Sequence, residues 1–333
     1  MAFSFLGLYN IEKTMEGHTM KYGFGVDVGG TTVKIALFDR AGTMLDKWEI
    51  PSVTENKGAA ILPDIAASVK EYMRRRDLLP QDVIGIGLGV PGPVDDAGVV
   101  NECQNLGWGV FNVRETLEKL TGFPVRVGND ANVAALGECW KGGGSGCANL
   151  VMVTFGTGVG GGIILDGKPI NGAHGAAGEI GHMVLDARET ELCNCGKRGC
   201  VEQFCSATGV VRLAKRYLAA RDCPSSLRAL EKLTAKDVFD AAKAGDAAAK
   251  EILEQVYDYM GQFLGTLCAV IDPEVVVMGG GMSRAGQQLV DGAERYFPRY
   301  AFPATKAVRF ALATLGNDAG AVGAFKLVLD SLA

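Results

Sequence analysis

No stretch of this chain gathers enough lysine and arginine to read as a nucleic-acid surface, and the net charge is −5. No segment is apolar for long enough to span a bilayer. The run Phe3 to Leu8 near the start is too short and has no basic region before it. The cysteines number nine, an odd count in a chain of ordinary length, which argues against a disulfide framework. Six of them (Cys103, Cys139, Cys147, Cys205, Cys223 and Cys268) are scattered and read as small apolar packing groups. Reduced cysteines fit a cytoplasmic protein. Histidine is scarce. His18 and His174 receive no role here, and His182 alone sits among other candidate ligands.

What is present is a composition of globular type, 48% hydrophobic and 21% charged, in 333 residues, enough for two domains. The first twenty residues read as a flexible extension, with Met20 an alternative start. Tyr22 to Val28 and Val33 to Phe38 flank Gly29-Gly30-Thr31-Thr32 and predict a hairpin, with a third strand over Leu45 to Ile50. Helices are expected over Ala59 to Arg76, over Asn112 to Thr121 with Asn112 as N-cap, and over Ala131 to Trp140. Val83 to Val90 and Val125 to Val127 read as strands. Further on, helical periodicity covers Ala207 to Arg221, Ala235 to Ala244, Ala247 to Val270 and Gly316 to Leu332. Strands are expected at Val275 to Met278 and Val308 to Ala313, with Ser283 capping a helix that reaches Tyr296.

The segment Val153 to Gly167, VTFGTGVGGGIILDG, echoes Val26 to Asp39, VDVGGTTVKIALFD, about 127 residues earlier. Each gives strand, glycine turn, strand and aspartate, which suggests two similar domains. Glycine clusters follow strands at Gly29-Gly30, at Gly156 to Gly162 (with Thr157 and Gly158) and at Gly279-Gly280-Gly281. Backbone N–H groups in such turns make concave anion sites, though a single cluster is equally well a plain hairpin turn. Asp27 stands beside the first as a possible Mg2+ partner, with Lys34 as a nearby cation. The Rossmann spacing is absent, because Val28 occupies the third glycine position and another strand follows. Gly162 to Lys168 matches the P-loop in letters, but Pro169 replaces the hydroxyl residue. A hairpin-type phosphate loop, repeated, points instead to an actin-like ATPase architecture.

Two further groups carry chemistry. Asn129-Asp130 ends a strand, where an aspartate is either a helix N-cap or a base that takes a hydroxyl proton during attack on a γ-phosphate. Cys193, Cys195 and Cys200, spaced C-x-C-x4-C, follow His182 by eleven residues and make a complete ligand set for a structural Zn2+. A reduced, metal-free cluster is the alternative. Glu179 and Glu202 flank these ligands, as a polyol-binding array would need, because each buried hydroxyl requires a partner.

These residues resemble the ROK family of repressors and kinases. GEIGH…CNCGKRGCVE is similar to its hallmark, VDVGGTTVK to its phosphate motif, and GVPGPVD, NLGW, NDAN and FGTGVGGGI to its other motifs, over residues 22–205. Within the family the likeness is nearest to bacterial ATP-dependent glucokinases. The resemblance implies an α/β chain of two actin-like (ribonuclease H-like) ATPase domains with an interdomain cleft. The small domain would be 22–128 with 316–333, and the large one 129–315 with the zinc motif. It implies ATP with Mg2+ as donor, glucose as acceptor, and Asp130 as general base. Asn105, Asn129, Asp130, Glu179, His182 and Glu202 would contact the sugar, with His182 giving one ring nitrogen to the metal and one to the sugar. Asp27, Gly29, Gly30, Thr31, Thr32, Lys34, Thr157, Gly158 and Gly279 to Gly281 would hold the nucleotide. A homodimer or homotetramer is implied. Two departures from the family pattern are Gly128, where many members have Glu, and Thr32, where many have Lys. The repressors carry an N-terminal DNA-binding domain, for which the residues before the first strand leave no room. A kinase for fructose, mannose or N-acetylmannosamine is the alternative enzyme, and a non-enzymatic sugar sensor the alternative class; Asp130 and the phosphate loops weigh against the sensor.

Overall fold

The structure, a computed structural model, describes residues 20–332, so the readings made for residues 1–19 lie outside the described residues. The chain divides into two compact units. One comprises the described residues up to Val133, with Ala173–Gly175 and the chain from Gly320 onward; the other comprises Ala134–Gly172 and Ala176–Ala319.

In the first unit, β1 (Tyr22–Val28), β2 (Thr32–Asp39) and β3 (Met44–Pro51) form an antiparallel meander. α1 (Ile61–Arg75) leads to β4 (Val83–Val90), which lies parallel to β1. A separate hairpin, β5 (Val99–Cys103) and β6 (Trp108–Asn112), precedes α2 (Val113–Thr121) and β7 (Val125–Asn129). The sheet order is β3-β2-β1-β4-β7. Asn112 caps α2 as expected, its side chain accepting from the Glu115 amide at 3.0 Å. The β5–β6 hairpin was not anticipated. Its exposed Asn101, Glu102 and Val110 blur the two-residue alternation that marks a half-buried strand.

α3 (Asp130–Lys141) follows β7 directly and carries the chain into the second unit. There β8 (Leu150–Phe155), β9 (Val159–Leu165) and β10 (Lys168–Pro169) form another antiparallel meander. The two-residue connection Asp166-Gly167 has positive φ at both positions, as such hairpin turns require. After the cysteine block come α4 (Ala207–Ala220), α5 (Ala235–Lys243) and the long, buried α6 (Ala247–Ile271). β11 (Val275–Gly279), α7 (Gln287–Tyr300) and β12 (Arg309–Leu312) complete the sheet in the order β10-β9-β8-β11-β12. Each sheet therefore has three antiparallel strands followed by two parallel ones, in the same order. The echo between Val26 and Val153 is one of whole units.

Ser283 does not cap α7. Gly281–Ala285 is a 3-10 turn in which the Ser283 hydroxyl donates back to the Gly280 carbonyl at 2.7 Å. Gly286, at φ +66, then redirects the chain before the helix starts.

α8 (Ala319–Asp330) closes the first unit. In β1, Phe24, Val26 and Val28 face the core that includes Ile61, Ile65 and Leu117, while Gly23 and Gly25 face the other way. In β4, Ile86, Leu88 and Val90 and Gly85 and Gly87 divide likewise. The glycine faces meet α8. A Cβ on Gly25 would stand 2.0 Å from the Ala321 carbonyl oxygen, and one on Gly87 would stand 1.6 Å from that of Ala324. The alternating glycines are thus the floor on which helix backbone rests directly. Among the described residues, no helix is long and apolar enough to cross a membrane.

Candidate active site

Asp27 lies at the end of β1, on the side chain row that begins with Gly23 and Gly25. It pairs with Lys34 across the β1–β2 ladder, and the Lys34 ammonium is 3.4 Å from Asp27 Oδ2. The Gly29 amide donates to the Thr32 carbonyl at 3.0 Å, closing the turn that carries Gly30 and Thr31. Burial raises the Asp27 carboxyl above the ordinary aspartate range, and the Lys34 charge opposes that rise. Gly320, in the first turn of α8, has no room for a side chain, since a Cβ there would lie 2.7 Å from Asp27 Cγ. Asn105 stands in the 3-10 turn between β5 and β6, and its carbonyl oxygen would be 3.8 Å from a Cβ on Gly30.

Asp27 pairs with Gly89 and Gly89 with Gly128, so the parallel strands β1, β4 and β7 end at one edge. Ligands of open α/β sheets bind at such carboxyl ends. Two strand spacings separate the backbones at Asp27 and Gly128, about 10 Å. Asn129, the last residue of β7, is held locally. Its Oδ1 accepts from the Ala131 and Asn132 amides at 3.0 and 3.2 Å, and its Nδ2 donates to the Gly92 carbonyl at 3.0 Å. Asn129 therefore does the capping of α3 that would otherwise explain an aspartate at this point. Asp130 Oδ1 takes the Ala131 amide at 2.8 Å. Burial pushes the Asp130 carboxyl up, the Ala131 amide opposes this, and the charge of Asp27 adds to the rise.

In the second unit, the ligand atoms of His182, Cys193, Cys195 and Cys200 all lie within 4.8 Å of one another. His182 Nδ1 is 3.8 Å from Cys193 Sγ, and Cys195 Sγ is 3.6 Å from Cys200 Sγ. Sulfurs about 2.3 Å from a shared tetrahedral centre stand about 3.8 Å apart, so the four groups fit a metal ion. Burial pushes the Cys200 thiol up to about 12 and raises Cys193, whereas the Lys197 amide holds Cys195 low. The other ring nitrogen of His182, Nε2, is 4.0 Å from Glu179 Oε2. Glu202 opens a one-turn helix, Glu202–Cys205, and its Oε1 is 3.7 Å from Cys193 Sγ. Glu179 and Glu202 thus both stand at the cluster.

Independently of the metal ligands, ion pairs hold the same block. Glu189 is buried and bonded by both terminal nitrogens of Arg216, at 2.8 and 3.0 Å, which draws its carboxyl down to about 2. Arg212 also reaches Glu189, at 3.2 Å. No spacing in the sequence flagged these pairs, which link a loop to α4.

The two later glycine clusters are neighbours. β8 and β11 run parallel, with Gly279 opposite Thr154. Gly280, at φ +80, sits on the end of β8, where a Cβ would be 2.6 Å from the Phe155 carbonyl oxygen. Gly156, Thr157 and Gly158 form the turn directly after Phe155. The sequence-derived residues thus fall into two sets. Asp27, Gly29 to Thr32, Lys34, Asn105, Asn129 and Asp130 belong to the first unit. Thr157, Gly158, Glu179, His182, the three cysteines, Glu202 and Gly279 to Gly281 belong to the second.

The ROK family model matches residues 23–331. A glucokinase of Halalkalibacterium halodurans is 43% identical over 309 residues, which cover 91% of this chain and 94% of its own. Among solved structures, a ROK family glucokinase from Streptomyces griseus in complex with glucose and AMPPNP is 31% identical, with a TM-score of 0.70 over 92% of this chain and 98% of that one. A ROK hexokinase from Thermus thermophilus is 30% identical, with a TM-score of 0.78 over 93% and 99%.

Proposed function

This chain belongs to the ROK family, and from that premise we propose that it is a glucokinase, moving the γ-phosphate of ATP to the 6-hydroxyl of glucose. It is an ATP-dependent hexose kinase of the actin-like ATPase fold. The observation that carries the chemical reading is Asp130, a buried carboxylate at a sheet edge, relieved of helix capping by Asn129.

In this reading Asp130 accepts the proton of the 6-hydroxyl as its oxygen attacks the γ-phosphorus and ADP leaves. Its raised pKa makes it a stronger base than an ordinary surface aspartate. The turn at Gly29 to Thr32, Lys34, and the paired turns at Thr157-Gly158 and Gly279 to Gly281 hold the nucleotide through backbone N–H groups and charge. Asp27 would be the protein partner of the Mg2+ that accompanies ATP, which would supply neutralisation of phosphate charge. Glu179, Glu202 and His182 Nε2 bind sugar hydroxyls, with Asn105 and Asn129 on the acceptor side. The metal held by His182, Cys193, Cys195 and Cys200 is a structural Zn2+. It supplies no step and fixes the two glutamates. A homodimer or homotetramer in the cytoplasm is part of the same proposal, and sedimentation checks the assembly.

The test is a coupled assay over a sugar panel, with ATP, ADP and polyphosphate as donors. Turnover of glucose with ATP well above every other pair is the expected result. Preference for another hexose or donor would replace the assignment, and no turnover with any pair would sink it.

A further inference from the structure

The turn between β8 and β9 is held from one side. The Gly156 amide donates to the Gly158 carbonyl at 2.9 Å, and the Gly156 carbonyl accepts from the Ala207 amide at 2.8 Å. The Thr157 carbonyl accepts from the Thr208 hydroxyl at 2.8 Å. The Val159 amide donates to Glu202 Oε2 at 3.2 Å. Apart from the turn's own closure, every partner lies between Glu202 and Thr208, which is the one-turn helix and the start of α4.

A turn that holds an anion must offer N–H groups and turn its carbonyl oxygens away. Here the carbonyls of Gly156, Thr157 and Gly158 are each taken by a protein donor. At the apex, Thr157, that donor is a side chain. The Thr208 hydroxyl is itself set by Ser206, whose Oγ is 2.9 Å from Thr208 Oγ1 and caps α4 by accepting from the Gly209 amide at 3.0 Å. Glu202 is shared between this turn and the metal-ligand cluster through its two oxygens. Gly158 has no space for a side chain beside it, since a Cβ would stand 2.0 Å from Glu202 Oε2.

We propose that Thr208 is a positioning residue for the phosphate donor. Its hydroxyl draws the Thr157 carbonyl aside and so presents the N–H groups of Thr157 and Gly158 to the nucleotide. Glu202 holds the same turn from its other end while also serving the sugar. The proposal rests on the kinase reading and extends it to a residue outside the nucleotide loops.

Thr208→Val keeps the shape of the side chain and removes the hydroxyl. Calorimetric titration of the intact protein with a non-hydrolysable ATP analogue and, separately, with glucose reads the two sides apart. Losing this one hydrogen bond is expected to raise the Kd for the analogue roughly two- to tenfold. The Kd for glucose stays at the wild-type value, and Thr208→Ser restores nucleotide affinity. Glu202→Gln, run in parallel, weakens both ligands. Wild-type affinity for both ligands in Thr208→Val overturns the proposal, as does equal loss of both or a failure of Thr208→Ser to recover. Wild-type protein that binds glucose but no ATP analogue overturns the kinase reading itself, a result seen in the same titration before any variant is made.

Discussion

Asp130 is a carboxylate whose surroundings disfavour its charge, and that fixes how it responds to substitution and to pH. Asp130→Asn removes the proposed proton acceptor while the Ala131 amide retains an oxygen partner. Turnover is expected to fall by roughly 10²- to 10⁴-fold, with glucose affinity retained in a titration. In the proposed role the base works ionised, so turnover is expected to rise with pH through its pKa. Burial and the Asp27 charge both raise that pKa, so the acidic limb of the kcat profile should lie above the ordinary aspartate value of about 3.9. Asp27→Asn removes a negative neighbour and should move the limb to lower pH, whatever it does to the height of the plateau. A limb that stays in place would disconnect the two carboxylates. At this scale the sequence was uneven in what it exposed. By residue type alone Asp130 was either a helix N-cap or a base, and only the family resemblance chose the base. The structure weighs against the cap by giving it to Asn129. Thr208 carried no signal, because its partner is a backbone carbonyl that no spacing rule reaches.

Among the elements, the alternation of glycine with apolar residues in β1 and β4 was legible as strand, and its cause was not. The cause is α8, far away in sequence, whose Ala321 and Ala324 carbonyls rest on Gly25 and Gly87. Gly87→Ala puts a methyl inside the van der Waals radius of an oxygen that a whole helix holds rigid. A loss of about 3 kcal/mol or more is expected in urea unfolding, with no help from side-chain rearrangement. Glu138 presents the opposite case, a buried carboxylate inside α3. It accepts from the amides of Gly143, Thr314 and Leu315 at 2.8, 3.0 and 2.9 Å. Glu138→Ala leaves these donors unpaired and is expected to cost on the order of 3 kcal/mol, read as a lower Tm. Most of the long helices were legible to within a residue or two because their apolar faces repeat, but α8 starts at Ala319 rather than Gly316, after a 3-10 turn, and α7 runs on to Tyr300, past the expected Tyr296. The β5–β6 hairpin and the start of α7 were not, because exposed polar strands and a positive-φ glycine break local patterns without announcing where the chain goes next.

For the molecule as a whole, the repeated strand order shows that a short sequence echo stood for two complete sheets. Everything between the meander and its two parallel partners differs between the copies, which is why one motif pair was all the sequence displayed. In the proposed reading the cysteine block is pinned twice, by a metal on His182 and the three cysteines and by the Glu189–Arg216 pairs. A strong chelator is therefore expected to release zinc and weaken glucose binding while the cooperative unfolding transition persists. Metal analysis, titration and calorimetry on one sample check this, and an active, zinc-free wild type would refute the structural metal.

The helix that rests on the glycine floor is also among the last segments to be made. As the chain leaves the ribosome, the first sheet can form its meander and bury the face beneath α1 and α2. Its other face, a strip of bare backbone, must wait until Gly320 and the residues after it emerge. The second unit lies wholly between, so it has its full sequence before the first can be finished. The usual order, in which N-terminal domains fold first, is inverted here for completion. Synthesis stalled or truncated before α8 would leave an unfinished first sheet joined to an intact second unit.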